Sequence, residues 1–234
     1  MDKYAREARL KPALITVLPL AFLAVALIPS PPAWWGAAVG LFTASGVFVL
    51  AAQIARTAGR RKEVELYQGW GGRPTTARLS WLTPGTNRIS LKRLHVAIER
   101  ATGIRLPTED EEKSDPQTAH LTYEAVADAL RELTRDHARF DLLFQENCSY
   151  GYRRNLLGLR PLGMSISWVA LSACLLMIGL TYLDVVDLDV LALSASIVVA
   201  LIFIFIWLRL VRAEWVRDAG DIYAERLLAS AFVL

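Results

Sequence analysis

LGMSISWVALSACLLMIGLTYL, residues 162–183, runs for its whole length without a charged side chain. A helix that crosses a bilayer needs about 17–25 predominantly apolar residues, and this stretch supplies them. Three more uncharged apolar runs accompany it, Pro12–Ile28, Ala33–Ile54 and Val190–Leu208. They raise the hydrophobic share of the 234 residues to 54% and the mean hydropathy to +0.33. Soluble domains average about 45–50% apolar. The first run is the shortest and contains Pro19. A signal peptide is the competing reading, but no small-residue cleavage site stands before ALIPSPPAWW. The reading is an all-α integral membrane protein with four spanning helices in two hairpins.

The cations set its orientation. All 26 Lys and Arg fall in the first eleven residues, in segment 56–160, or in the tail from Arg209. The PSPPAWW connector is uncharged, and DVVDLD carries only Asp184, Asp187 and Asp189. Lys and Arg flanks stay cytoplasmic. Both termini and segment 56–160 are therefore expected inside a bacterial inner membrane crossed several times. Trp34 and Trp35 suit the outer interfacial belt, Trp168 and Trp207 the inner one. The divisions that follow are a tail and first hairpin over 1–55, a cytoplasmic helical domain over 56–160, a second hairpin over 161–212 and a cytoplasmic C-terminal helix over 213–234. Cys174 lies in a span and Cys148 on the inner side, so no disulfide is expected.

Local signals in the cytoplasmic domain are helical. IARTAGRRKEVELYQ continues the second span until Gly69. Ser90 is placed to cap ISLKRLHVAIERATG, which ends at Gly103. Thr108 with Glu111 makes a capping box, and Asp115 before Pro116 starts another helix. Leu121, Ala125, Ala129 and Leu133 form its apolar stripe at helical period. FDLLFQENCSYGYRRNLLGL then leads to Pro161 and the third span. Segment 56–160 holds eighteen basic and fourteen acidic residues. Its cations either meet anionic headgroups or line an aqueous phosphate site.

Catalytic chemistry is not signalled. GWGG at 69–72 lacks the strand and the lysine of a phosphate-binding loop. His95 with Glu99 and His120 with Glu124 are i,i+4 pairs without further metal ligands. The sequence calls for no cofactor and no metal and argues against an enzyme. None of the spans contains Asp, Glu, Lys, Arg or His within its apolar run, which disfavours a proton-coupled carrier. A channel is compatible, but four helices enclose little water, so a pore requires a homo-oligomer. Gly36, Gly40 and Ala44 offer a small-residue face for close helix packing, within or between protomers. Asp184, Asp187 and Asp189 form either an acidic pore mouth or a solvated connector.

Three stretches, DKYAREARLKPAL (2–14), GWGGRPTTARL (69–79) and ENCSYGYRRNLLGLRPLG (146–163), carry a resemblance. With the two hairpins around a helical insert, the chain resembles the membrane effectors of nucleotide-signal anti-phage defence, and most resembles the Hailong effector. The resemblance implies a tetrameric ion channel whose cytoplasmic part binds an oligodeoxyadenylate made by a partner nucleotidyltransferase. That signal holds the channel closed, and its loss opens it and depolarises the cell. No individual residue is carried over from the family. A single-stranded ligand wants cations for phosphates and flat side chains for bases. The residues of those kinds here are Trp70, Arg73, Arg78 and Trp81; then Arg88, Lys92, Arg93 and His95; then Tyr150, Tyr152, Arg153 and Arg154. A scaffolding membrane protein that binds another protein, or a membrane enzyme with an unrecognised site, are the rival readings.

Overall fold

The computed structural model describes residues 2–28 and 46–234. Helices account for 81% of them, and no strand occurs among the described residues. We number the helices α1 (Lys3–Leu27), α2 (Val47–Trp70), α3 (Pro74–Leu79), α4 (Arg88–Thr102), α5 (Glu109–Ser114), α6 (Pro116–Leu133), α7 (Asp141–Tyr182), α8 (Val190–Arg209) and α9 (Ala213–Ala229). Three of them, α1, α7 and α8, are long and apolar enough to cross a membrane. The expected second span falls largely outside the described residues, as do Trp34, Trp35, Gly36, Gly40 and Ala44. Helix α7 is 42 residues long, about 60 Å at 1.5 Å per residue. That is roughly twice the ~30 Å hydrocarbon thickness, so the one helix is long enough to hold both an apolar stretch of spanning length and a polar approach to it.

The chain divides into two compact units. The first comprises Met1–Glu63 and Gly151–Trp215. Here α1, the apolar half of α7 and α8 bury Leu23, Ala26, Ala170, Cys174, Leu193 and Ala200 together. Ser196 donates from Oγ to the Phe22 carbonyl at 3.1 Å, tying α8 to α1. Pro12 lacks the N–H that would serve the Ala8 carbonyl one turn back. Buried Asn155 donates to that carbonyl instead, at 2.6 Å. Helix α7 crosses α2 closely. A Cβ on Gly158 would lie 2.4 Å from the Ala58 carbonyl carbon, and one on Gly59 would strike Asn155. Trp207, expected in the interfacial belt, is fully buried against Gly163, where only a glycine leaves room for its ring. Trp168 is the exposed one of the pair.

The second unit comprises Val64–Tyr150 and Val216–Leu234. Its core gathers Leu79 from α3, Ile98 from α4, Tyr123, Val126 and Leu130 from α6, and Leu227 from α9. The compact units thus group residues 56–63 and 151–160 with the long apolar helices rather than with the helical insert. Three helix ends match the sequence signals. Gly103 stops α4 at φ 71°, Thr108 and Glu111 form the capping box of α5, and the Asp115 side chain caps α6 at Thr118 N. Two expectations are corrected. Asn87, not Ser90, caps α4, accepting from Ile89 N and Ser90 N at 3.1 Å. Helix α6 buries Ala119, Tyr123, Val126, Ala127 and Leu130, leaving Leu121 and Leu133 exposed. The period was correct; the phase was set by the partners that α6 packs against.

Candidate functional site

Helix α4 is amphipathic. Leu91, His95 and Ile98 point into the core of the second unit, and the opposite face carries Arg88, Lys92, Arg93, Val96 and Arg100. That face borders a groove of about 680 Å³, closed on its other sides by Trp81, Glu109 and Phe232. The sequence spacing 88, 92, 93, 96, 100 places these residues on adjoining turns, so four cations reach one cavity.

The charge in this groove is only partly neutralised. Arg88 makes a two-pronged pair with Glu109, at 2.6 and 2.9 Å. Glu109 also receives Lys113 at 2.7 Å. Lys92, Arg93 and Arg100 make no ion pair or hydrogen bond among the described residues and are exposed. Three cations thus stand free beside an aromatic ring, an arrangement that attracts phosphate at close range.

Trp81 is held rigidly. Its backbone N–H donates to Glu112 Oε2 at 2.8 Å, and its indole Nε1–H donates to the Pro107 carbonyl at 2.9 Å. Its ring meets the edge of His95 at 4.9 Å between centroids. Glu112 is itself only 5% exposed and accepts from the Ser80 hydroxyl and from Tyr123 Oη at 2.9 Å. Burial, reinforced by the Glu112 carboxylate, pushes the Tyr123 hydroxyl far above its ordinary range, which keeps it a donor. The tryptophan wall of the groove therefore rests on a buried carboxylate with three donors.

The other sequence-selected residues are distributed elsewhere. His95 is buried, with Nε2 2.9 Å from the Leu79 carbonyl, and presents no surface to a ligand. Arg73 pairs with Glu124 at 3.3 Å, and Arg78 with Glu225 at 3.3 Å. Trp70 packs beside Tyr67, and Arg217 lies over its ring at 6.0 Å. Tyr150 is buried, its hydroxyl 3.0 Å from that of Tyr67 and its ring stacked on Tyr223. Tyr152, Arg153 and Arg154 belong to the first unit. Arg153 donates to the Trp215 carbonyl at 3.0 Å and covers its ring, Tyr152 meets that ring edge-on, and Arg154 pairs with Glu63 at 2.9 Å.

Sequence reasoning thus found Trp81, Arg88, Lys92 and Arg93 but missed Arg100 and Phe232. Arg100 was signalled by its helical register with Lys92, Arg93 and Val96. Phe232 comes from the far end of the chain, and nothing local announces it. In the expected outer connector, Asp184, Asp187 and Asp189 are all exposed. Asp184 adopts φ 56°, and Asp189 caps α8 by accepting from Leu191 N at 2.8 Å. No group of three or more metal-ligating side chains occurs among the described residues. Comparison with protein families, with characterised proteins and with solved structures gives no match.

Proposed function

We propose that this protein is an oligomeric membrane channel effector of anti-phage defence, controlled by a nucleotide signal bound in the α4 groove. The signal is a single-stranded oligodeoxyadenylate or a related nucleotide supplied by a partner nucleotidyltransferase, and it holds the channel closed. The observation that carries the ligand class is the convergence of Lys92, Arg93 and Arg100, without counterions among the described residues, beside the fixed ring of Trp81. Phosphates need cations, and bases need flat partners. Three helices fit to cross a membrane support the membrane half of the reading. The resemblance of the chain to nucleotide-signalled effectors joins the two halves into one device. Residues of both units lie on the single helix α7, which gives bound ligand a covalent route to a span.

The direct test is binding of labelled oligodeoxyadenylate to the full chain purified in detergent. The reading expects saturable binding that a Lys92→Glu, Arg100→Glu double variant weakens at least tenfold. Absence of binding, or equal binding by the variant, overturns it. A protein-binding scaffold is favoured by a different observation, the exposed apolar side chains of Leu121, Leu133 and Leu142 on the second unit. Retention of a partner protein by a Leu121→Asp, Leu133→Asp variant would count against that alternative.

A further inference from the structure

A second groove, of about 740 Å³, adjoins the first and shares Arg93 and Phe232 with it. The chemistry of the two differs. In the second groove two of the three cations are paired, Arg78 with Glu225 at 3.3 Å and Arg217 with Asp221 at 3.9 Å, and only the shared Arg93 is not. Leu91, Leu94 and Leu228 supply apolar lining. Between these lie neutral hydrogen-bonding groups. Asn87 spends its Oδ1 as the cap of α4, which leaves both Nδ2 hydrogens to donate. Thr83 donates to the Ala77 carbonyl at 2.6 Å and keeps its acceptor lone pairs. The Ser90 hydroxyl and the carboxylates of Asp221 and Glu225 complete a set of donors and acceptors.

A cavity with several free cations suits a phosphate, and one whose charges are mostly paired, with apolar walls and both kinds of hydrogen-bonding group, suits a flat neutral heterocycle. We propose that the second groove is the base-recognition half of the ligand site. A phosphate lies among Lys92, Arg93 and Arg100, and the adjoining base enters the second groove past Phe232. Arg93 sits at the junction and reaches the phosphate from either side. This inference rests on the nucleotide reading above and adds to it where the base goes and what reads it. Carboxylate acceptors at Asp221 and Glu225 favour bases with an exocyclic amine, adenine or cytosine, over thymine.

The experiment compares three probes on the full chain in detergent: inorganic tripolyphosphate, trideoxyadenylate, and the same trinucleotide backbone without bases. Wild type is set beside Ala77→Trp and Ser90→Trp, both surface changes that fill the second groove, and beside Trp81→Ala in the first. The expected result is that trideoxyadenylate binds about tenfold or more tighter than the abasic backbone. That advantage disappears in either groove-filling variant, while tripolyphosphate affinity is retained and reports an intact fold. If the advantage survives both fillings, or is lost only in Trp81→Ala, the base sits elsewhere and this inference falls while the nucleotide reading stands. If wild type binds none of the three probes, the nucleotide reading falls as well.

Discussion

Glu112 shows how one buried side chain can organise the wall of a groove it does not itself line. Its carboxylate is buried and saturated by Ser80, the Trp81 backbone and Tyr123. Replacing it with leucine leaves three donors without an acceptor, each costing about 1–3 kcal/mol. Glu112→Leu should therefore lower stability by about 3–9 kcal/mol and shift the fluorescence of Trp81, both read by thermal unfolding in detergent. Tyr123→Phe removes one charge-assisted bond and should cost only about 1.5–3 kcal/mol. A leucine variant as stable as wild type would mean that the carboxylate is not the anchor. His95 gives a pH signature. Burial, the largest influence, holds it below the ordinary value of 6.5, against the opposing effects of the Leu79 carbonyl, Glu99 and Glu112. The unfolded chain then binds the proton more readily than the folded one. The His95 contribution is accordingly whole above pH 6.5 and shrinks as pH falls from there toward the lowered folded value. Stability measured from pH 7.5 downward should decline through this window, and His95→Gln should flatten that part of the curve.

At the scale of elements, the two glycines where α2 and α7 cross make a sharp contrast with a third. Gly158→Ala drives a methyl group into the Ala58 backbone, and backbone cannot swing aside. Overpacking of this kind costs about 1–3 kcal/mol. Gly69 is also helical, but nothing lies within 4 Å of a Cβ there, so Gly69→Ala should be neutral or stabilising by up to about 1 kcal/mol. Opposite shifts of the two unfolding midpoints are expected; equal shifts would remove the close crossing from the fold. Neither the crossing nor its glycines can be read from local sequence, because the contact joins residues about a hundred positions apart. What was legible follows from local physics. Length and apolarity marked α1, α7 and α8. The chemistry of orphaned N–H groups marked the starts of α5 and α6, and left-handed backbone marked Gly103. Local physics failed where two answers were locally equivalent. Ser90 and Asn87 are both capping residues one turn apart, and α6 carries two apolar stripes of which tertiary packing chose one. The groove was half legible for the same reason: α4 announces its own cations, but nothing in α4 announces Phe232.

For the whole molecule, the separation of charge along the chain makes a topology that labelling can check. With Cys148→Ser and Cys174→Ala as background, a cysteine at Asp187 should react with a membrane-impermeant maleimide added to intact cells, and one at Thr118 should react only after lysis. Labelling of Thr118→Cys from outside would invert the proposed orientation and remove the groove from the compartment in which the proposed signal would be made. The groove and the membrane helices meet in a final expectation about salt. Binding of a single strand through three cations neutralises about three phosphates, so log affinity should fall with log salt at a slope near −2. Lys92→Gln with Arg100→Gln leaves Arg93 as the one unpaired cation of the groove among the described residues and should reduce the slope to about −0.7. If bound signal holds a channel closed, the same double variant should depolarise cells that contain the intact nucleotidyltransferase, because its groove no longer retains the ligand. Reduced slope with normal growth would preserve the binding site and reject its role in closure. An unchanged slope with depolarised cells would mean that the variant opens the membrane part by a route other than ligand loss.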